Sequence, residues 1–365
     1  MTTKQRIDIP SDSRILVALS GGVDSGVCAL LLKEAGFNVE AIHMTNWEDD
    51  DGYCTVAEDI QHANLLCKQL NIPLHQVNFS QQYKEKVFND FLKQLNEGLT
   101  PNPDIACNKH IKFGCLREYA NKLESTLLVT GHYAKIINAG NRIELHQSID
   151  PNKDQTYFLY DLSEKQLRHC YFPLGELKKD EVRKIANKHN LPMANKKDST
   201  GICFIGERPF EDFLLKYINR NNGYINDLKG NTIGEHIGLP FYTIGQRHGL
   251  NIGGIKGLEE KPWYIAKKDH ETNTLIAVQG CDHPILFKNK LLFKKSNWIN
   301  TLEGFSQSKY TARIRHRQSP QCCEVRQMDE DLFEAAFKSP QRAITSGQHI
   351  VLYDGSRCLG GGIIQ

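Results

Sequence analysis

No two cysteines of this chain stand in a Cys-x-x-Cys pair, no apolar run approaches the roughly 20 residues needed to cross a membrane, and neither sign of charge dominates. The first absence argues against a zinc ribbon or a thioredoxin-like site. The second leaves no candidate membrane span, so no membrane partner is expected. The third matters because 45 basic residues nearly balance 43 acidic ones, for a net charge of +2; a site for a polyanion must therefore be local. Met1 to Arg14 is short and polar with two aspartates, reads as neither signal nor transit peptide, and makes the cytoplasm the expected location. Without a secretion signal, the eleven cysteines read as reduced thiols, and Cys28 and Cys67 fall on the apolar sides of predicted helices. At 365 residues, 40% hydrophobic and 24% charged, the chain has the composition of a soluble globular protein and the length of two or three domains.

Lysine is also missing between Arg14 and Lys33, which removes the Gly-Lys-Ser/Thr ending of a Walker loop. In its place Ser20-Gly21-Gly22-Val23-Asp24-Ser25 follows the apolar run Ile15 to Leu19 and precedes a helical stretch from Gly26 to Ala35, closed by Gly36. The pattern predicts a buried strand, a tight turn and a helix start. Backbone N–H groups and the helix dipole at such a turn favour an anion. Gly21 and Gly22 admit phosphate oxygens close to the backbone, and Ser20 and Ser25 offer hydroxyl donors. The segment resembles the SGGxDS loop of the ATP pyrophosphatase superfamily, whose members cut ATP between the α and β phosphates, adenylate a carbonyl or carboxylate oxygen, and hold the departing pyrophosphate. Asp24 offers an oxygen ligand for Mg²⁺.

The first third of the chain alternates strand and helix: Ile15–Leu19, Ser25–Ala35, Val39–Met44, Ala57–Leu70, Leu74–Phe79, Gln82–Leu95, Lys109–Lys122 and Leu127–Thr130. This predicts an α/β fold with a doubly wound parallel sheet, whose ligands sit beyond the C-terminal ends of the strands. A hairpin near Asn138 to Arg142 and a helix near Lys179 to His189 are expected to continue the unit. From Phe210 glycine becomes frequent, which suggests a small turn-rich central domain. From Pro284 short strands dominate, with one helix expected at Asp331 to Lys338, which suggests a C-terminal β-barrel. The expected domains are residues 1–209, 210–283 and 284–365.

Two further segments carry candidate chemistry. Pro101-Asn102-Pro103-Asp104-Ile105-Ala106-Cys107-Asn108 contains two prolines that fix φ, so it is expected to be a rigid loop, free of helix, that displays Asp104 and Cys107. Asp198-Ser199-Thr200-Gly201-Ile202-Cys203-Phe204-Ile205-Gly206 places a second cysteine, Cys203, among small and polar residues. Arg313, Arg315 and Arg317 recur with period two, and on a strand they would share one face as a comb for phosphates.

The motifs SGGVDS, HMTNW, TPNPDIACNKHIKF, TGHY, KDQTYFL, DSTGICFIGER, YTIGQRHGLNIGG, PWYIAKKD and CLGGG follow one another in order. Together they resemble the bacterial tRNA-specific 2-thiouridylase family from end to end. The resemblance implies a catalytic domain of the adenine nucleotide α-hydrolase type and an enzyme that adenylates the C2 oxygen of the wobble uridine with ATP and Mg²⁺. A persulfide sulfur carried on Cys203 then replaces that oxygen. Cys107 would be the second thiol, either releasing sulfide or closing a transient disulfide with Cys203. Asp104 is a candidate proton carrier.

By the same resemblance, Ala18, Leu19, Ser20, Gly21, Gly22, Val23, Asp24, Ser25, Met44 and Gly131 bind ATP. Asn102, Pro103 and Asp104 contact the target base, which must be turned out of the stacked loop. Lys153, Asp154, Gln155, Arg315 and His316 contact tRNA, although His316 stands where the family usually has tyrosine. Lys178, Lys179, Lys184, Lys188, Lys196 and Lys197 offer further backbone contacts. The implied partners are the tRNAs for glutamate, glutamine and lysine, and a cysteine desulfurase or a relay protein downstream of one. Three alternatives stay open at this point: another ATP pyrophosphatase without sulfur transfer, a tRNA-binding module without catalysis, and thiolation through an iron–sulfur cluster on Asp104, Cys107 and Cys203.

Overall fold

A computed structural model of the chain describes residues 9–10, 12–48, 56–198, 209–253, 261–300 and 309–365. Its strands in chain order are β1 (Arg14–Ala18), β2 (Asn38–Thr45), β3 (Leu74–Asn78), β4 (Leu127–Val129), β5 (Ala134–Ala139), β6 (Arg142–Gln147), β7 (Cys170–Tyr171), β8 (Gly223–Asn226) and β9 (Thr232–His236). There follow β10 (Trp263–Asp269), β11 (Thr274–Gln279), β12 (Phe287–Trp298), β13 (Lys309–Arg313), β14 (Gln321–Gln327), β15 (Leu332–Arg342), β16 (His349–Asp354) and β17 (Arg357–Ile364).

The parallel sheet that the alternating pattern predicted is present, with the order β3-β2-β1-β4-β7. Its central strand reads as an unbroken apolar run because both faces are covered. Ile15 and Val17 pack into a core shared with α1 (Val23–Glu34), α2 (Val56–Leu70) and the helix Lys179–Lys188. Leu16 points the other way, into a core with Val87, Phe88, Phe91, Ile111 and Leu116. Each such fully buried side chain contributes about 1.5–3 kcal/mol. The helical stretches behind Leu16 contain wide turns, at Lys84–Phe88 and Asn108–Cys115, inside the expected helices.

A second, four-stranded sheet runs β10-β11-β8-β9 around Ile225, Ile265, Leu275 and Ala277. The third sheet runs β12-β15-β14-β13-β16-β17, and β12 pairs with β17 to close a six-stranded antiparallel barrel. Closure leaves no open edge among these six strands. The helix expected at Asp331–Lys338 is instead strand β15, in which Phe333, Ala335 and Phe337 alternate into the barrel core. Leu, Glu, Ala and Lys there favour a helix locally, but pairing with β12 on one side and β14 on the other decides the outcome.

The hairpin expected near Asn138–Arg142 is formed by β5 and β6, yet it does not join the parallel sheet. It extends the barrel sheet, with Arg357 opposite His146 and Cys358 opposite Leu145. Among the described residues no helix is long and apolar enough to cross a membrane.

Candidate active site

The ends of three adjacent strands, β2, β1 and β4, bring the expected nucleotide residues together. The glycine loop leaves β1, Met44 lies near the end of β2, and Gly131 follows β4. Leu19 and Val23 are buried, so they serve the loop through their backbone. Gly22 caps α1 in an extended conformation and no side chain caps that end, which leaves the first-turn N–H groups facing the loop. Ser25 Oγ donates to the Gly22 carbonyl at 3.1 Å and accepts from the Ser20 amide at 3.2 Å, tying the turn together. Gly21 has φ +75°, and a Cβ there would stand 2.6 Å from Asp59 Cα. A Cβ on Gly131 would stand 2.9 Å from the Ser25 amide nitrogen. Both glycines are required by close backbone approach.

Asp24, in the first turn of α1, is not a free carboxylate. Tyr133 Oη donates to its Oδ1 at 2.8 Å, and Lys179 Nζ lies 2.7 and 2.8 Å from its two oxygens. The same ammonium is 2.8 Å from Asp198 Oδ1. Lys153 Nζ and Arg183 Nη2 each approach Asp198 at 2.6 Å. Burial alone would raise the Asp198 carboxyl, but hydrogen bonds from Lys153 and Lys179 outweigh it and hold the group at about 2. On the other flank, Lys196 Nζ lies 2.6 Å from Asp59 Oδ1 and 3.4 Å from Glu58. The sequence offered Lys179 and Lys196 as tRNA backbone contacts; their distance from the loop in the chain hid their place beside it.

The proline-containing segment departs from expectation. A short helix, Pro103–Cys107, begins inside it, with Pro103 at the first position and Asn102 as cap, its side chain accepting from the Asp104 amide at 3.2 Å. Proline suits the first turn because its missing N–H has no partner there anyway. The turn carries Cys107 inward rather than displaying it. Cys107 is fully buried, and burial first, then Asp104, push its thiol up to about 11 despite the opposing charge of Lys112. Cys203 and its segment from Ser199 lie outside the described residues, so the expected Cys107–Cys203 disulfide and Asp104–Cys107–Cys203 cluster are not described.

Asn102, Pro103 and Asp104 line a cleft of about 500 Å³ together with Thr243 to Gln246 and the barrel residues Arg315 and His316. Two ties hold this wall: Lys268 Nζ donates to the Gly98 carbonyl at 3.3 Å, and the Thr100 amide donates to the Ser346 carbonyl at 2.9 Å. Arg315 is anchored by donating to the carbonyls of Arg342 and Ala343. The His316 ring packs on Phe158 with centroids 4.4 Å apart, and burial, then the neighbouring Arg317, lower its basicity. Thr243 to Gln246 belong to a motif visible in the sequence, but nothing there assigned them to this wall.

The expected arginine comb does not form. Strand β13 ends at Arg313, and Arg317 sits in a turn with φ +66°. Arg313 is buried and pairs with Asp154 at 2.6 Å, while only Arg315 reaches the cleft wall. Asp154, 2% exposed, also accepts from the Ser148 amide and from Thr156 Oγ1, so its carboxylate is turned inward and fastens the barrel to the first unit. Gln155 accepts from the Tyr133 amide and Lys153 holds Asp198, which places both at the nucleotide end. Among the described residues no group of three or more His, Cys, Asp or Glu could hold a metal ion.

Residues 13–207 match the family model described as the tRNA methyl transferase HUP domain, 211–279 the tRNA methyl transferase PRC-barrel domain, and 288–364 the Aminomethyltransferase beta-barrel domain. The chain is 49% identical over 361 residues to the tRNA-specific 2-thiouridylase MnmA of Stutzerimonas stutzeri strain A1501, covering 98% of this chain and 96% of that one. It is 48% identical over 365 residues to the protein of the same name from Pseudomonas putida strain GB-1, covering 100% and 97%. Among solved structures, the U34-tRNA thiolase NcsA from Methanococcus maripaludis with its 4Fe-4S cluster is similar at 21% identity and a TM-score of 0.36, over 51% of this chain and 60% of that one, a likeness too slight to bear on the site.

Proposed function

Since the chain belongs to the tRNA-specific 2-thiouridylase family, we propose that it adenylates the C2 oxygen of the wobble uridine of tRNA and replaces that oxygen with sulfur. The observation that carries this reading is the cleft in which Asn102, Pro103 and Asp104 face Arg315 and His316. At about 500 Å³ it has the capacity for a base turned out of its stack, with an arginine for the backbone and an imidazole ring to pack beside it. Residues 1–209 form the catalytic domain in this reading, 210–283 the central domain, and 284–365 the tRNA-binding barrel.

The uracil C2 carbonyl is amide-like and resists direct attack. Its oxygen attacks the α phosphorus of ATP, the bond to the bridging oxygen breaks, and pyrophosphate departs into the Ser20–Ser25 loop, where backbone N–H groups receive it. Met44 and Gly131 border the adenosine. The Asp24 carboxylate, which here holds the Lys179 ammonium, suits a cation and would hold Mg²⁺, which would supply charge neutralisation to the phosphates. The terminal sulfur of a Cys203 persulfide then attacks C2 and AMP leaves with the oxygen. Cys107 attacks the remaining Cys203 sulfur, closing a disulfide and leaving the transferred sulfur on the base; an external dithiol, itself oxidised to a disulfide, returns two electrons to reopen it. Cys107 reaches this step only when the Pro103–Cys107 turn opens to the cleft, since its thiol is buried and protonated otherwise. The acceptors would be the tRNAs for glutamate, glutamine and lysine, and the sulfur would come from a cysteine desulfurase or its relay protein.

Incubation with unmodified tRNA, Mg-ATP and a desulfurase-based donor, followed by nucleoside mass spectrometry, tests the reading. Thiouridine from the wild type and none from Cys203→Ser supports it. If neither protein makes thiouridine while ATP is split to AMP and pyrophosphate, the acceptor is a different one.

A further inference from the structure

The glycine loop binds a polyphosphate, in the reading above, without a lysine of its own. Lys179 comes to it from the start of the helix Lys179–Lys188 and is only 8% exposed. Its ammonium bridges Asp24 of the loop and Asp198, at 2.7 and 2.8 Å. Around these two carboxylates stand three cations, Lys179, Lys153 and Arg183. Asp198 is held by Lys153 and Arg183 whether or not Lys179 stays, whereas Asp24 keeps the Tyr133 hydroxyl.

We propose that Lys179 is the phosphate-binding cation that the loop lacks, parked on Asp24 and Asp198 and transferring to the β and γ phosphates of ATP when they enter. A lysine suits this role because a long stem ends in a point charge with three donors, able to exchange one anion for another over a few ångströms. Negative charge gathers on the pyrophosphate as the α–β bond breaks, and a cation placed there beforehand favours that state over the ground state. Lys153 and Arg183 fix Asp198, and Asp198 fixes where Lys179 rests. The inference rests on the reading that ATP phosphates occupy Ser20–Ser25.

The test titrates full-length wild type, Lys179→Met, Lys179→Arg and Asp198→Asn with ATP, inorganic pyrophosphate and AMP in the presence of Mg²⁺, by calorimetry. Lys179→Met should weaken ATP and pyrophosphate roughly tenfold to a hundredfold and leave AMP within about twofold, with partial recovery in Lys179→Arg. Asp198→Asn removes a competing anion and should tighten pyrophosphate about threefold. Unchanged ATP affinity in Lys179→Met overturns the proposal, as does an equal loss for ATP and AMP, which marks a merely structural role. Should Lys179→Met fail to fold, Asp198→Asn decides alone: tightening supports the proposal and no tightening overturns it. A wild type that binds neither ATP nor pyrophosphate instead removes the reading of the loop on which the proposal stands.

Discussion

The proposed nucleotide end draws its residues from one strand–turn–helix, 18–25, with Met44 and Gly131 added by the strands on either side of β1. The base cleft draws on 101–104, 243–246 and 315–316, which come from three different sheets or their connections. One site is therefore as rigid as a local turn, and the other only as rigid as the joints between units. Those joints include the buried Asp154–Arg313 pair, the Thr100–Ser346 bond and the Lys268–Gly98 bond. Damage to the loop should be local and chemical, whereas damage to the joints should change the cleft without touching it.

Substitution Gly21→Val should break the comparison hardest. A branched side chain at φ +75° meets the Asp59 backbone, so the loop must shift. We expect tRNA-dependent pyrophosphate release to fall roughly a hundredfold or more, with tRNA affinity by filter binding unchanged. Arg313→Met acts on the joint. It leaves Asp154 charged and buried without its partner, at a cost of about 3–5 kcal/mol, read as a lower denaturation midpoint. In the fraction that stays folded, tRNA affinity should fall while ATP affinity holds.

Acid tests the same joint. His349 is buried where Tyr160 Oη meets its Nδ1 at 2.7 Å, and burial holds its imidazole down at about 3. The unfolded chain takes up this proton below about pH 6.5, while the folded chain does so only near pH 3. More protons are bound unfolded across that window, so stability falls as pH falls through it, by up to about 1.4 kcal/mol per pH unit. Denaturant titrations at pH 6.5, 5.5 and 4.5 should show this loss, and His349→Gln should flatten it. The smallest effect belongs to Arg315→Ala, which removes a cleft cation that is already half-buried: tRNA binding should weaken about tenfold, with ATP binding the same.

The difference in rigidity is also a difference in what the sequence discloses. Ile15 to Ser25 announces strand, turn and helix because every contact that defines it lies within a few residues, and the structure places Ser20–Ser25 where that pattern put them. The Asp154–Arg313 pair joins residues far apart in the chain, so nothing near either one shows that both are inside. Period two in Arg313, Arg315 and Arg317 suggested one face, but the strand stops at the first of them. Leu332–Arg342 reads locally as helix and becomes a strand only because the barrel closes around it. Pro103 looked like a helix breaker and is a helix starter, which is why Cys107 points inward. Lys179 was visible as a charge, and its meaning came only with its distance to Asp24.

The hairpin β5–β6 sets a boundary on how such chains can be recombined. By position it belongs with the first unit, yet its β6 strand is stitched to β17 at Leu145 and His146. A cut at residue 283 would therefore sever the backbone between two pieces that still share a sheet. If the pieces separate, Arg357 loses Glu144, and the Arg357–Cys358 end of β17 loses the strand it pairs with. Barrels exchanged among relatives would have to carry a matching hairpin with them, so the two segments travel as one heritable graft although 209 residues, counted from Gln147 to Arg357, lie between them.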